Sequence, residues 1–177
     1  AGVTSLRWKP LTLFADVRLP ACVSNSTLPF IHTWRVYEGL NYIASLESSS
    51  RDQRYFKLPP YSLEASTTYS IVAGLRTDPS AATELISVSG IVQMGASGVK
   101  AVITGGATRT VSNQDAVTFD ASTSRDIDYP TTGSLLYTWS CEEFSPSFGS
   151  ACSGFNNSAT ESLLVLAPNS LLPKVYT

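Results

Sequence analysis

The chain has 177 residues, 43% apolar and 15% charged, with a net charge of −2. The apolar share is ample for a buried core and argues against wholesale disorder. The near-balanced charge argues against nucleic acid as a partner, because phosphate binding needs clustered positive charge.

Period-2 alternation recurs along the chain, while the i, i+3, i+4, i+7 pattern of a helix is scarce. Leu11, Leu13, Ala15, Val17 and Leu19 alternate with Thr12, Phe14, Asp16 and Arg18, which predicts a first strand. Ile31–Tyr37, Arg54–Leu58, Thr68–Leu75 and Leu85–Met94 predict four more. In the second half, Val99–Ile103, Ala116–Phe119, Leu135–Cys141 and Leu163–Leu166 read the same way. Pro59-Pro60, Gly95, Gly98, Gly105-Gly106, Pro130 and Gly133 punctuate between them. Short strands at regular spacing with turn signals predict a β-sandwich. The 26 Ser and 18 Thr fit an all-β extracellular protein better than a helical cytosolic one.

No apolar stretch approaches the roughly 20 residues of a membrane helix, so direct membrane insertion by this segment is not expected. The N-terminus shows no basic segment followed by an apolar core. The one histidine, His32, has no cluster of ligands with zinc spacing near it in sequence, and no Gly-rich phosphate loop is present. His32 alternates with Trp34 and reads as structural. The expectation is a chain that is not an enzyme and needs no cofactor. Asp126 and Asp128, beside Asp120, are the candidates for calcium, since alternate carboxylates in a loop can supply oxygen ligands. Hydrogen bonding to their own loop is the competing role.

Cys141 and Cys152 lie 11 apart with Pro146 and Gly149 between them, which reads as a local disulfide. Cys22 is then odd: a buried thiol, or the partner of a cysteine outside this chain. Asn25-Ser26-Thr27 and Asn156-Asn157-Ser158 are acceptor tripeptides for N-glycans on Asn25 and Asn156.

An internal repeat organises these elements. Leu58-Pro59-Pro60-Tyr61-Ser62-Leu63 matches Leu166-Ala167-Pro168-Asn169-Ser170-Leu171 at an offset of 108. Trp34 matches Trp139 at 105, and the strand at Leu11–Ala15 matches Ala116–Asp120. Tyr69 and Tyr176 follow the Pro/Ser stretch in each copy. Trp34 and Trp139 are expected to fill the space between sheets, and Tyr69 and Tyr176 to form tyrosine corners. The predicted fold is two tandem immunoglobulin-like sandwiches, residues 1–96 and 97–177. Only Thr177 follows Tyr176, so the second sandwich lacks its last strands. A window on a longer tandem array would look like this. A strand donated by another chain is the alternative.

Ala101–Ser112, with Thr104-Gly105-Gly106-Ala107-Thr108, resembles the opening of units in the REJ (receptor for egg jelly) region of polycystin-1-like proteins. Phe119–Asp128 followed by Leu136–Cys141 resembles its continuation, and Leu58 to Tyr69 is similar to the later part of a preceding unit. PKD and fibronectin-III-like sandwiches share the weaker parts. One departure is that no Cys follows Trp34 as Cys141 follows Trp139. The resemblance implies an extracellular glycoprotein array at a cell surface or ciliary membrane. It also implies roles in adhesion, ligand sensing or support, with neighbouring domains, other surface proteins or glycans as partners. A carbohydrate- or calcium-binding accessory module of a secreted enzyme is the second reading.

Overall fold

The computed structural model describes residues 2–16, 30–77, 84–106, 108–155 and 159–177. Cys22 and the two glycan candidates, Asn25 and Asn156, lie outside the described residues. Among the described residues there are strands and turns and no helix. The chain divides into two compact units, Ala1–Ser97 and Gly98–Thr177.

In unit 1, one sheet holds β1 (Gly2–Leu6), β7 (Ile86–Gly95), β6 (Thr68–Arg76), β3 (Ile31–Glu38) and β4 (Asn41–Tyr42), in that spatial order. β1 runs parallel to β7, and the other neighbours are antiparallel. The second sheet pairs β2 (Leu11–Phe14) with β5 (Tyr55–Leu58). Alternation decides which side chains meet between them. β6 turns Tyr69, Ile71 and Ala73 inward, β3 turns Val36 inward, and β7 turns Val92 and Met94 inward. Leu11, Phe56 and Leu58 face them from the second sheet. Val36 and Phe56 are fully buried. Each such side chain contributes roughly 1.5–3 kcal/mol by leaving water. The order β7-β6-β3 facing β2 and β5 is the G-F-C against B-E arrangement of an immunoglobulin-like sandwich.

Unit 2 repeats part of this plan. β9 (Val117–Asp120) pairs antiparallel with β13 (Leu163–Leu166), as β2 pairs with β5. β11 (Glu142–Ser145) lies between β12 (Ser150–Ala151) and β14 (Val175–Tyr176). β8 (Val99–Lys100) pairs with β10 (Arg125–Asp126). Among the described residues, unit 2 has no counterpart of β7.

The strand expected at Leu135–Cys141 is corrected here. Its exposure alternates with period two, but it carries no ladder, and the strand starts at Glu142. Unit 1 supplies the reason. There Glu38 pairs with Tyr69, and Ile31–Tyr37 pair with the residues that follow Tyr69. In unit 2 Glu143 pairs with Tyr176. Among the described residues, those just upstream of Glu142 pair with no strand.

Candidate functional site

The landmarks of the repeat occupy matching places. In unit 1 Leu13 pairs with Phe56, and in unit 2 Phe119 pairs with Leu164. The structural match is thus Leu13 to Phe119, one residue off the alignment read from the sequence. Trp34 packs on Phe56 with ring centroids 5.4 Å apart, and Trp139 on Phe119 at 6.3 Å. Each indole N–H donates to a main-chain carbonyl, that of Gln53 just ahead of β5 at 2.8 Å and that of Glu161 just ahead of β13 at 2.9 Å. These acceptors are again 108 residues apart. Tyr61 and Asn169 share a left-handed backbone, φ 65° and 59°. Their N–H groups donate to Arg7 and Asn113 carbonyls at 2.7 and 2.6 Å.

The two tyrosines differ in sense. The Glu64 N–H donates to the Tyr69 hydroxyl at 3.1 Å, whereas the Tyr176 hydroxyl donates to the Leu172 carbonyl at 2.8 Å. Both tie a late strand to the chain a few residues upstream, which is the geometry of a tyrosine corner. A Cys141–Cys152 disulfide closes the β11–β12 hairpin, with Cα atoms 5.5 Å apart. On that hairpin Phe144 and Phe148 meet edge to face at 5.7 Å, and both are exposed.

The polar candidates are held by local bonds. One Asp126 oxygen accepts N–H groups from Asp128 at 2.8 Å and Tyr129 at 3.0 Å. Asp128 is buried. Asp120 accepts the Ser122 N–H at 2.8 Å, and bonding to Ser122 holds its carboxyl below the usual range. Among the described residues, no three His, Cys, Asp or Glu side chains gather as a metal site. Asp126 and Asp128 are therefore neighbours in one turn, without a third ligand. Glu143 is buried and pairs with Lys174 at 2.6 Å.

His32 lies at the start of β3, against a cleft lined by Asp16, Phe30, Arg51, Asp52, Gln53 and Arg54. Its Nε2 is buried without a hydrogen-bond partner among the described residues. Burial, then the nearby Arg54 charge, lower its pKa from 6.5. Asp52 grips Arg54 through both oxygens, at 3.1 and 2.7 Å, which pulls its pKa down to about 2.

Sequence reasoning missed one constellation. Glu84 reaches across β6 to β3, where it accepts from Thr33 at 2.5 Å and pairs with Arg35 at 2.6 Å. It crosses at Gly74, where any Cβ would collide with the Glu84 carboxylate. A glycine inside a strand pattern marks such a close approach, so Gly74 was the available signal.

A profile of the REJ domain matches residues 15–177. The chain belongs to the REJ domain family. The match runs through most of unit 1 and all of unit 2, so both sandwiches lie in one REJ segment. No curated protein matches the chain. Among solved structures, the chain is similar to a crystal structure of the N-terminal four Ig domains of Dscam1 isoform 9.44, with zinc. Identity is 15% and the TM-score 0.36, over 99% of this chain and 38% of that one. No helix is long and apolar enough to cross a membrane among the described residues. Family, all-β fold and disulfide together describe an extracellular module of the kind found in polycystin-like proteins.

Proposed function

We propose that this REJ segment is a non-enzymatic structural and adhesion module of a large polycystin-1-like glycoprotein at a cell surface or ciliary membrane. It mediates contacts with neighbouring domains, other surface proteins or glycans. The observation that carries this reading is where the polar chemistry goes. Asp120 and Asp126 close turns, Glu143 neutralises Lys174, Asp52 grips Arg54, and Glu84 braces β3 against the start of β7. Groups tied up in this way build a rigid body, whereas catalysis needs a nucleophile and a base facing a common substrate position.

Beads coated with the chain, held on a cell layer under flow, test the proposal. Retention that exceeds beads carrying the heat-unfolded chain, survives calcium chelation and is unchanged by His32→Ala supports it. Retention lost on chelation favours a calcium-binding accessory module instead. Retention no better than the unfolded control overturns the adhesion reading.

A further inference from the structure

We propose that β1 and β7 form a load-bearing clamp that keeps unit 1 folded when tension acts between its two ends. The chain enters unit 1 at the start of β1 and leaves it at the end of β7. The two strands are parallel neighbours over all of β1, with Gly2 opposite Ile91 and Leu6 opposite Gly95. Entry and exit therefore lie at opposite ends of one ladder. Tension draws β1 toward its N-terminus and β7 toward its C-terminus, so the two strands are sheared along a common axis. The bonds of a parallel ladder are evenly spaced, and shear loads them together. In an antiparallel pair, entry and exit would share one end of the ladder, and the bonds would open one at a time.

Both strands are anchored behind the ladder. The Arg7 carbonyl, one residue past β1, accepts the Tyr61 N–H at 2.7 Å, and the Lys9 N–H returns to the Leu6 carbonyl at 3.0 Å. The Arg7 guanidinium lies over the Tyr61 ring, 5.6 Å from its centroid, and reaches Glu64 at 3.4 Å. β1 slides toward its N-terminus only by dragging Arg7 off these partners. β7 is held on its other side by the antiparallel ladder with β6 and by the Met94 N–H on the Thr67 carbonyl at 2.8 Å. At the exit, bare backbone lets the strands close up: a Cβ on Gly95 would stand 3.1 Å from the Leu6 side chain.

β1 adds little to the core. Gly2, Val3 and Thr4 are exposed, Ser5 and Leu6 are half-buried, and none belongs to the buried cluster around Phe56. Its pairing along its whole length matters most when the chain is pulled. The clamp deepens the adhesion reading, since a module that holds two surfaces together carries tension between its ends. Stretching and bead retention are separate measurements, so either can fail alone.

Single-molecule stretching of the whole chain between its ends tests the clamp. At about 3.4 Å per extended residue, unit 1 should lengthen by roughly 300 Å when it opens. Unit 2 should lengthen by less, because it is shorter and the Cys141–Cys152 disulfide keeps a loop closed. The long step should come at a resolved force peak, set by the forced unfolding rate. Next, the N-terminal handle is moved to an azide-bearing residue replacing Lys9, which is exposed and lies past β1. Both attachment points of unit 1 are then at one end of an intact ladder, and the force of the long step should fall by about twofold or more. Val3→Pro and Thr4→Pro form a second arm. β1 is an edge strand, so one of these neighbours removes a ladder donor and the other a solvent-facing one. One variant should lose the peak and the other keep it, with slow hydrogen exchange at Tyr69 and Ile71 showing unit 1 folded in both. A long step at the same force with either handle overturns the proposal. So does a peak that survives both proline variants.

Discussion

Phe56 in unit 1 and Leu164 in unit 2 stand at the same point of matching strands, and their partners are swapped. Phe56 faces Leu13, and Leu164 faces Phe119. One aromatic and one leucine occupy the site in both units, and the tryptophan packs on the aromatic whichever strand carries it. Volume is kept while the residues trade places, which is the substitution cores tolerate best. Around that shared centre the units diverge. Unit 1 surrounds Phe56 with a buried apolar cluster drawn from both sheets and the Leu63 corner. Among the described residues, unit 2 buries Ala121, Cys152 and Leu164, and also the acids Asp128 and Glu143. A domain with little apolar burial needs covalent or polar staples. The same plan is thus held by oil in one unit and by a disulfide and an ion pair in the other.

The sharpest break in this comparison is Phe56→Ala. Its ring is fully buried, so unit 1 should lose about 3–5 kcal/mol. Urea titration followed by unit-resolved hydrogen exchange should show unit 1 opening early and unit 2 unmoved. Equal loss in both units would show that they do not fold as separate bodies. Next comes the staple. Cys141→Ser with Cys152→Ser should destabilise unit 2 by about 2–3 kcal/mol, from the chain entropy regained by an opened short loop. The same double variant should leave unit 1 unchanged. A cost near zero would mean that the Glu143–Lys174 pair and the β11 ladder hold the hairpin alone.

Much of this was legible in the sequence, because the repeated features are local. The strand at Leu163–Leu166 was readable in full, and those at Ile31–Glu38 and Thr68–Arg76 to within a residue at one end, since alternation is fixed by which face is buried. The offset of the Leu-x-Pro-x-Ser-Leu stretch carried over to backbone angles and to both indole bonds. What was not legible depends on pairing. β1 was missed because Gly2–Leu6 lacks clean alternation, and it becomes a strand by lying parallel to β7. Leu135–Cys141 has the right pattern and no ladder, because a strand is a property of two segments. The Arg35–Glu84 brace joins residues 49 apart through a gap at Gly74, and one chain gives no sign of which acid fills it.

The swapped pair gives a finer test. Phe119→Leu alone should leave a void beside Trp139 and cost unit 2 about 1–2 kcal/mol. Adding Leu164→Phe rebuilds the unit 1 arrangement in unit 2 and should recover part of that loss. A double-mutant cycle reads the recovery as a coupling of about 0.5 kcal/mol or more. Simple additivity would mean that the two sites are not one volume, and the correspondence between units would then stop at the backbone.

The smallest effect separates the units by pH. The chain has a single histidine, and it lies in unit 1. Burial and the Arg54 charge lower the pKa of His32 in the fold, while the unfolded chain keeps the ordinary value of 6.5. The unfolded state therefore takes up the proton first as pH falls. The sign follows from linkage: the stability associated with neutral His32 is fully present above 6.5 and is lost as pH drops through the folded value. Unit 1 should weaken across that window, and His32→Gln should flatten its slope. The carboxylates of Asp52 and Asp120 titrate lower still, since both are held below their usual range. Unit 2 has no histidine to give it the same slope. Hydrogen exchange of both units at pH 7.5 and pH 5.5 measures the difference within one sample. A unit 1 slope that survives His32→Gln would place the proton elsewhere and remove His32 from the account of that cleft.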